Sequence, residues 1–381
     1  MLHTQPIPSH LTRTGTVGKV RRADGDPVAA LKENTRFLPV PTNAPSSLAV
    51  PFSVFDPKAS HAADHAGKLV FHTVGDTGGI HGTATQEAIA IAMEDQVSHA
   101  AAGEKPAFFY NLGDVIYFNG QTRLYKTEFY EPYQYYPALI FAIPGNHDGD
   151  THVQKGDLPD TETSLFGFLQ NFCAASPTHI SPYRMTMTQP YCYWTLDAPF
   201  VTIIGLYSNV EGSLDARGRN DQQHFLEDQM KKAAPAKKLL IAVHHPPFSL
   251  DSAHGGCPDI LTALDRAIAA SGRTPDAVLS GHVHNYQRFS RDIHGRKIPY
   301  LVAGAGGYAN EVRSMHQLQK GLNGKPTPIA TTMTGLTLEK YHDKEPGFLR
   351  VTVDAHQIKF EYFLVPFDPS APSTLFDTVV A

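Results

Sequence analysis

The sequence predicts a layered α/β sandwich, two sheets with helices outside, and three observations predict it. From Lys68 onward short apolar runs alternate with stretches of helical spacing. The tail alternates instead with a period of two, Phe348 to Val353 and then Ile358 to Phe363, as antiparallel strands do. Finally, five apolar runs end in acidic or metal-capable residues. Val70-Phe71-His72-Thr73-Val74 leads to Gly75-Asp76, and Phe108-Phe109-Tyr110-Asn111-Leu112 to Gly113-Asp114. Ala138 to Ile143 leads through Pro144 to Gly145-Asn146-His147-Asp148, Leu239 to Val243 leads to His244-His245, and Ala277 to Ser280 leads to Gly281-His282-Val283-His284. Sites in open α/β sheets lie at the carboxyl ends of strands, which is where all five fall.

Taken in order, residues 1–65 are rich in Pro, Ser, Ala and Thr without a sustained period, and predict an extended N-terminal arm. Residues 66–381 then form the domain that carries the motifs. Thr77-Gly78-Gly79 is a turn after the first strand. Thr85 to Ala102 is a helix, with Ile89, Ala92, Met93, Gln96 and Val97 at helical spacing and Gly103 as its stop. The Tyr-rich stretch Tyr117 to Tyr136 is expected to be partly helical. Residues 149–198 are expected to be loops with a short helix near Ser164 to Phe172. Phe200 to Leu206 reads as a strand, Asp221 to Ala233 as a helix through Phe225, Leu226 and Met230, Ile260 to Ala270 as a helix, and Tyr300 to Ala303 as a strand. Gly306 to Pro346 is long and polar, a surface excursion.

Composition excludes several classes. With 381 residues, 41% of them apolar and 18% charged, the chain can bury a sizeable core. A net charge of -5 and the lack of any Lys/Arg cluster longer than Lys19 to Arg22 argue against a nucleic-acid surface. No apolar run approaches the roughly 18 residues of a membrane span. Cys173, Cys192 and Cys257 permit at most one disulfide and form no Cys-x-x-Cys site, so reduced structural thiols are expected. The N-terminus lacks an apolar secretory region, and if Met1 is the native start a cytoplasmic protein is expected. Oligomeric state has no signature here.

The strand ends carry chemistry jointly. Each histidine alone is more simply a satisfied polar group, and Tyr117 alone a core residue. Together Asp76, Asp114, Asn146, His244, His282 and His284 supply six donors for a pair of metal ions, and Tyr117, three residues beyond Asp114, a seventh. The spacing of His282 and His284 puts both rings on one face of an extended chain.

These blocks, Gly75-Asp76-Thr77-Gly78, Gly113-Asp114-Val115-Ile116-Tyr117, Gly145-Asn146-His147-Asp148, Ile241-Ala242-Val243-His244 and Gly281-His282-Val283-His284, resemble in order the five blocks of the calcineurin-like metallophosphoesterases. More narrowly they resemble the purple acid phosphatase branch, over roughly Lys68 to Phe363. The resemblance implies a four-layer αββα sandwich with two mixed β-sheets. Most of the superfamily carries His where Gly78 stands; the branch has Tyr three residues after the shared Asp, as Tyr117 is here. A phenolate is a hard anionic donor and favours ferric iron. Carried over, Asp76, Asp114, Tyr117 and His284 would hold Fe(III), and Asp114, Asn146, His244 and His282 a divalent ion (Fe, Zn or Mn), with Asp114 shared. His147 would donate to a phosphate oxygen or the leaving group and Asp148 would orient it. The branch's further leaving-group histidine would be His254, with His245 as the alternative. The expected function is hydrolysis of a small phosphomonoester. Phosphodiester or nucleotide processing is the alternative, and a metal-stabilised binding protein without turnover belongs to a different class.

Overall fold

Successive side chains of a strand face opposite ways, so an apolar run without polar interruption must be covered on both sides. The computed structural model, which describes residues 25–28, 44–79, 82–151, 162–210, 214–215, 218–309, 315–368 and 371–381, shows how that cover is arranged. In β2 (Lys68–Val74), Leu69 and Phe71 enter a central core while Val74 faces outward. β3 (Phe108–Asn111) divides likewise, Phe108 and Tyr110 inward and Phe109 outward, and β4 (Leu139–Ala142) sends Phe141 inward and Ile140 outward. The outward set packs on α3 (Ala84–Ser98) through Ile89, Met93 and Val97. From the other side, β7 (Lys238–Val243) contributes Leu240 and Ala242 to the central core and turns Leu239, Ile241 and Val243 toward α6 (Asp221–Lys232) and α7 (Pro258–Ser271). Three cores therefore separate four layers, an αββα sandwich.

Among the described residues the strands form two mixed sheets. The smaller has β2, β3 and β4 parallel, extended past β2 by the antiparallel β13 (Gly347–Asp354), β14 (Ile358–Leu364) and β15 (Thr374–Val380). The larger runs β1 (Ala49–Pro51), β5 (Trp194–Ala198), β6 (Val201–Leu206), β7, β8 (Ala277–Ser280), β10 (Arg296–Ala303), β9 (Tyr286–Ile293), β12 (Leu336–His342) and β11 (Ile329–Ala330). No disulfide joins Cys173, Cys192 and Cys257. No helix among the described residues is long and apolar enough to cross a membrane.

Three expectations are corrected. The extended arm does not reach residue 65: β1 pairs in parallel with β5, and α1 (Phe52–Phe55) and α2 (Pro57–Ala66) follow it. Phe52 is fully buried against Phe108, with ring centroids 5.2 Å apart. The Asp56 carboxylate caps α2 by accepting from Ala59 N at 2.8 Å, and Gly67 ends it at φ 69°. Of the remainder of the expected arm, residues 25–28 lie against the body, where Ser249 N donates to Pro27 O at 3.0 Å; 1–24 and 29–43 lie outside the described residues. The expected surface excursion 306–346 contains β11 and β12, both within the larger sheet. Within 149–198 the short helix expected near Ser164 to Phe172 is α5 (Phe166–Phe172), but the end of the expected loops is a strand, β5.

Candidate metal centre

Parallel register sets Val74, Asn111 and Ala142 level across β2, β3 and β4, so the chain leaving these strands carries Asp76, Asp114 and Asn146 to one edge. In the other sheet β7 and β8 pair Ala242 with Leu279, and His244 and the His282-Val283-His284 run arrive at the same edge. The loops meet too closely for side chains between them. A Cβ on Gly113 would lie 2.6 Å from His244 Nδ1, and one on Gly281 2.7 Å from Asp76 Oδ2. Asp76, Asp114 and His282 adopt φ of 58°, 51° and 69°, the left-handed region, at a cost on the order of 1–3 kcal/mol each. Cross-loop hydrogen bonds hold them there: Asp76 N donates to Gly113 O at 2.8 Å, and His282 N to Asp76 Oδ2 at 2.6 Å.

All seven predicted metal ligands converge, none more than 5% exposed. They form two groups. In the first, Tyr117 Oη lies 3.1 Å from Asp76 Oδ1 and 3.3 Å from His284 Nε2, and His284 Nε2 lies 3.3 Å from Asp76 Oδ1. In the second, Asn146 Oδ1 lies 3.1 Å from His244 Nε2 and 3.0 Å from His282 Nδ1, and Asp114 Oδ2 lies 3.3 Å from His244 Nε2. The donor atoms of Asp114, His244 and His282 all fall within 4.8 Å of one another, a spacing that could hold a cation.

The electrostatics agree with that capacity. His244 Nδ1–H donates to Leu112 O at 2.8 Å, so Nε2 presents its lone pair to two acceptor oxygens. Only positive charge at that point, a proton or a metal ion, reconciles the three. Burial lowers the His244 pKa, but the Asp114 and Asp76 carboxylates outweigh it and carry the ring up to about 10. Burial and the neighbouring Asp114 charge push Asp76 well above the carboxylate range despite His244. Asp114 is held low, because His244 and His147 overcome its burial. Burial and the surrounding histidines keep His284 neutral, its pKa well below the usual value, as a ligand must be.

Gly78 explains why the first group contains a tyrosine. A Cβ there would stand 2.8 Å from Tyr117 Cδ2 and 2.8 Å from Ile116 Cα, so Tyr117 occupies the room a larger residue at 78 would need. Burial together with the Asp114 and Asp76 carboxylates holds the Tyr117 phenol well above its ordinary pKa.

His147 and Asp148 sit in α4 (Asn146–Gly149), directly after the ligand Asn146. The orienting partner of His147 is not Asp148: Nδ1–H donates to Phe118 O at 2.7 Å, and the ring lies 4.5 Å from that of Tyr117. The buried Asp148 carboxylate instead accepts from the backbone N–H of Gly145 at 2.8 Å, Val115 at 3.2 Å and Ile116 at 3.4 Å. It pins the second and third blocks together, and burial with the Asp114 charge raises it to about 7. His254 and His245 both border the second group. The His254 ring is half-buried 4.7 Å from that of His282, and the fully enclosed His245 lies 4.4 Å from it with Nδ1 2.8 Å from Ser208 Oγ.

Sequence reasoning missed four residues. The Tyr308 ring lies 3.9 Å from His284 and 4.8 Å from Tyr117. His316 stacks on His284 at 4.3 Å and lies 4.7 Å from His254. Asp251 accepts from Ala253 N at 2.7 Å and His254 N at 2.5 Å, and so shapes the loop that carries His254. Glu128 accepts from Tyr117 N at 2.8 Å. A signal existed for Tyr308: β10 runs parallel to β8, and Gly304 to Gly307 form a glycine-rich strand exit at the same edge.

The calcineurin-like phosphoesterase pattern matches residues 70–286. Purple acid phosphatase 21 of Arabidopsis thaliana is 26% identical over 34% of this chain and 30% of its own length. A probable glycerophosphodiester phosphodiesterase, GpdQ, of Arcobacter nitrofigilis is 26% identical over 47% of this chain and 57% of its own. The chain thus spans less than two thirds of either curated relative. Among solved structures, the purple acid phosphatase PPD1 from yellow lupin (Lupinus luteus) seeds shares the fold with a TM-score of 0.58 at 15% identity, covering 82% of this chain and 53% of that one. GAP50, the anchor in the inner membrane complex of Plasmodium, shares it at a TM-score of 0.53 and 12% identity, over 82% and 88%. With the family pattern spanning more than half of its residues, the chain belongs to the calcineurin-like phosphoesterases.

Proposed function

We propose that the chain is a phosphomonoester hydrolase of the purple acid phosphatase type, working with Fe(III) and a divalent ion, Fe, Zn or Mn. The observation that carries this reading is the Tyr117 hydroxyl, 3.1 Å from Asp76 Oδ1 and 3.3 Å from His284 Nε2. A phenol so deeply buried between carboxylates gives up its proton only to a cation of high charge, which favours a trivalent ion. Asp76, Asp114, Tyr117 and His284 would hold Fe(III), and Asp114, Asn146, His244 and His282 the divalent ion. When bound, such a pair supplies a positive clamp for phosphate oxygens and a hydroxide nucleophile near neutral pH.

The chain's own residues supply the rest. Phe118 O fixes the His147 ring through Nδ1–H, and Nε2 donates to a phosphate oxygen or the leaving group when the ring is protonated. Asp148 acts on backbone amides, fixing the loop that carries His147. His254 gives its proton to the departing oxygen, with His245 the alternative. The catalytic unit runs from Ala49 onward, and its partner is a small phosphorylated molecule.

The relative GpdQ favours a second reading, phosphodiester hydrolysis, since it matches a longer part of this chain than the purple acid phosphatase does. Initial rates on p-nitrophenyl phosphate and on its bis-ester separate the two. The proposal expects the monoester to be the better substrate at acidic pH. Faster cleavage of the bis-ester would move the assignment to a diesterase, and neither activity in metal-replete protein would point to a binding role.

A further inference from the structure

Three consecutive backbone N–H groups of the loop after Asp114 end on two buried carboxylates. Val115 and Ile116 donate to Asp148, and Tyr117 donates to Glu128 Oε2 at 2.8 Å. Glu128 lies in a π-helical turn, Lys126–Tyr130, and is 9% exposed. Its carbonyl accepts from Gln86 Nε2 of α3 at 2.7 Å, which ties the turn to the outer helix layer. The hydrolytic chemistry above does not use this carboxylate. Enclosing one is costly unless it is hydrogen-bonded, and Tyr117 N supplies that bond.

What Glu128 holds is the root of the site. Tyr117 reaches Asp76 and His284 with its side chain, and the next carbonyl, Phe118 O, accepts from His147 Nδ1–H. One dipeptide therefore places a donor in the first group and orients His147 in front of it. A shift at Tyr117 N moves both.

We propose that Glu128 is a positioning residue for the metal centre, setting the phenol oxygen against Asp76 and His284 and the Phe118 carbonyl against His147. The inference rests on Tyr117 being a ligand. Without that, Glu128 is an ordinary buried acceptor that stabilises a loop.

Two variants separate these roles. Glu128→Leu fills the volume without an acceptor, and Glu128→Gln restores an oxygen without charge. In chelator titrations of the zinc-loaded full chain, Glu128→Leu is expected to weaken retention of the ion in the Asp76–Tyr117–His284 group about 10–100-fold, as loss of a ligand's supporting partner does, with Glu128→Gln between Leu and wild type. In iron-loaded protein the tyrosinate absorption should shift in Glu128→Leu and return toward wild type in Glu128→Gln. A loop-stabilising role alone lowers the Tm of the metal-free and metal-loaded forms equally and leaves zinc retention unchanged. That outcome in Glu128→Leu, or in Glu128→Gln if the Leu variant does not fold, overturns the proposal. Tyr117→Phe run in parallel tells the two failures apart. Weakened zinc retention in Tyr117→Phe alone defeats only the role of Glu128, whereas no loss in either variant defeats the ligand reading of Tyr117 and the proposal with it.

Discussion

Replacing Tyr117 by Phe removes one oxygen and leaves the ring where it packs, 4.5 Å from His147 and 4.8 Å from Tyr308. In the metal-free protein the loss is the hydroxyl's contacts with Asp76 Oδ1 and His284 Nε2, and Asp76 keeps the His282 N–H. Such a loss costs about 1–2 kcal/mol, hydrogen bonds to charged groups lying at the upper end. A protein of this size then melts only about 1–3 °C lower. In the loaded protein the same oxygen would be an anionic ligand, and its removal should weaken ferric retention by at least about 10–100-fold, or roughly 1.4–2.7 kcal/mol. The assay is the visible spectrum of iron-loaded wild type and variant, with iron quantified in the same samples. Wild type should be pink to violet through phenolate-to-iron charge transfer, and the variant colourless. An equal band in an iron-containing Tyr117→Phe protein, or no band in ferric wild type, refutes the assignment of Tyr117.

Further outcomes follow from the same geometry. His147→Ala should lower kcat about 10²–10⁴-fold while both metals stay bound, because the ring is held by Phe118 O and is placed to act on substrate; parallel loss of metal, read by elemental analysis, would contradict that role. His254→Ala should slow esters of poor leaving groups more than activated ones, and the same pattern in His245→Ala instead would exchange the two assignments. His72 makes the fold acid-sensitive. Its fully buried ring lies 3.1 Å from both Tyr136 Oη and Gln96 Oε1, and burial holds its pKa down at about 3 from 6.5. Since the folded value is the lower one, the contribution of neutral His72 is complete above 6.5 and is lost as pH falls toward 3. His72→Gln should therefore flatten the decline of Tm from about pH 7 to about pH 4, and an undiminished slope would clear His72 of that role.

The site was more legible than its supports. Asp76, Asp114, Asn146, His244, His282 and His284 stand just past apolar strands beside Gly75, Gly113, Gly145 and Gly281, so residue type and spacing located them without coordinates. Asp148 was placed but misread, since carboxylate bonds to the amides of Gly145, Val115 and Ile116 leave no trace in sequence. His316 was hidden for another reason. Its segment has no period and is held by isolated contacts such as Asp251 to Leu318 and Ser252 N to Gln317 O. β1, with three residues, is shorter than any window that detects alternation. β9 reads as polar through Gln287, Arg288, Ser290, Arg291 and Asp292, and its strand character comes from pairing with β10 and β12.

The most direct test of the central claim is metal content by mass spectrometry on protein purified without chelator, with Asn146→Ala alongside. A hydrolase built on Fe(III) and a divalent ion should carry a pair of metal ions per chain, iron among them, and the variant should retain the iron while losing the divalent ion. A chain that holds no iron when grown in its presence, or an Asn146→Ala protein with unaltered metal content, would contradict the account.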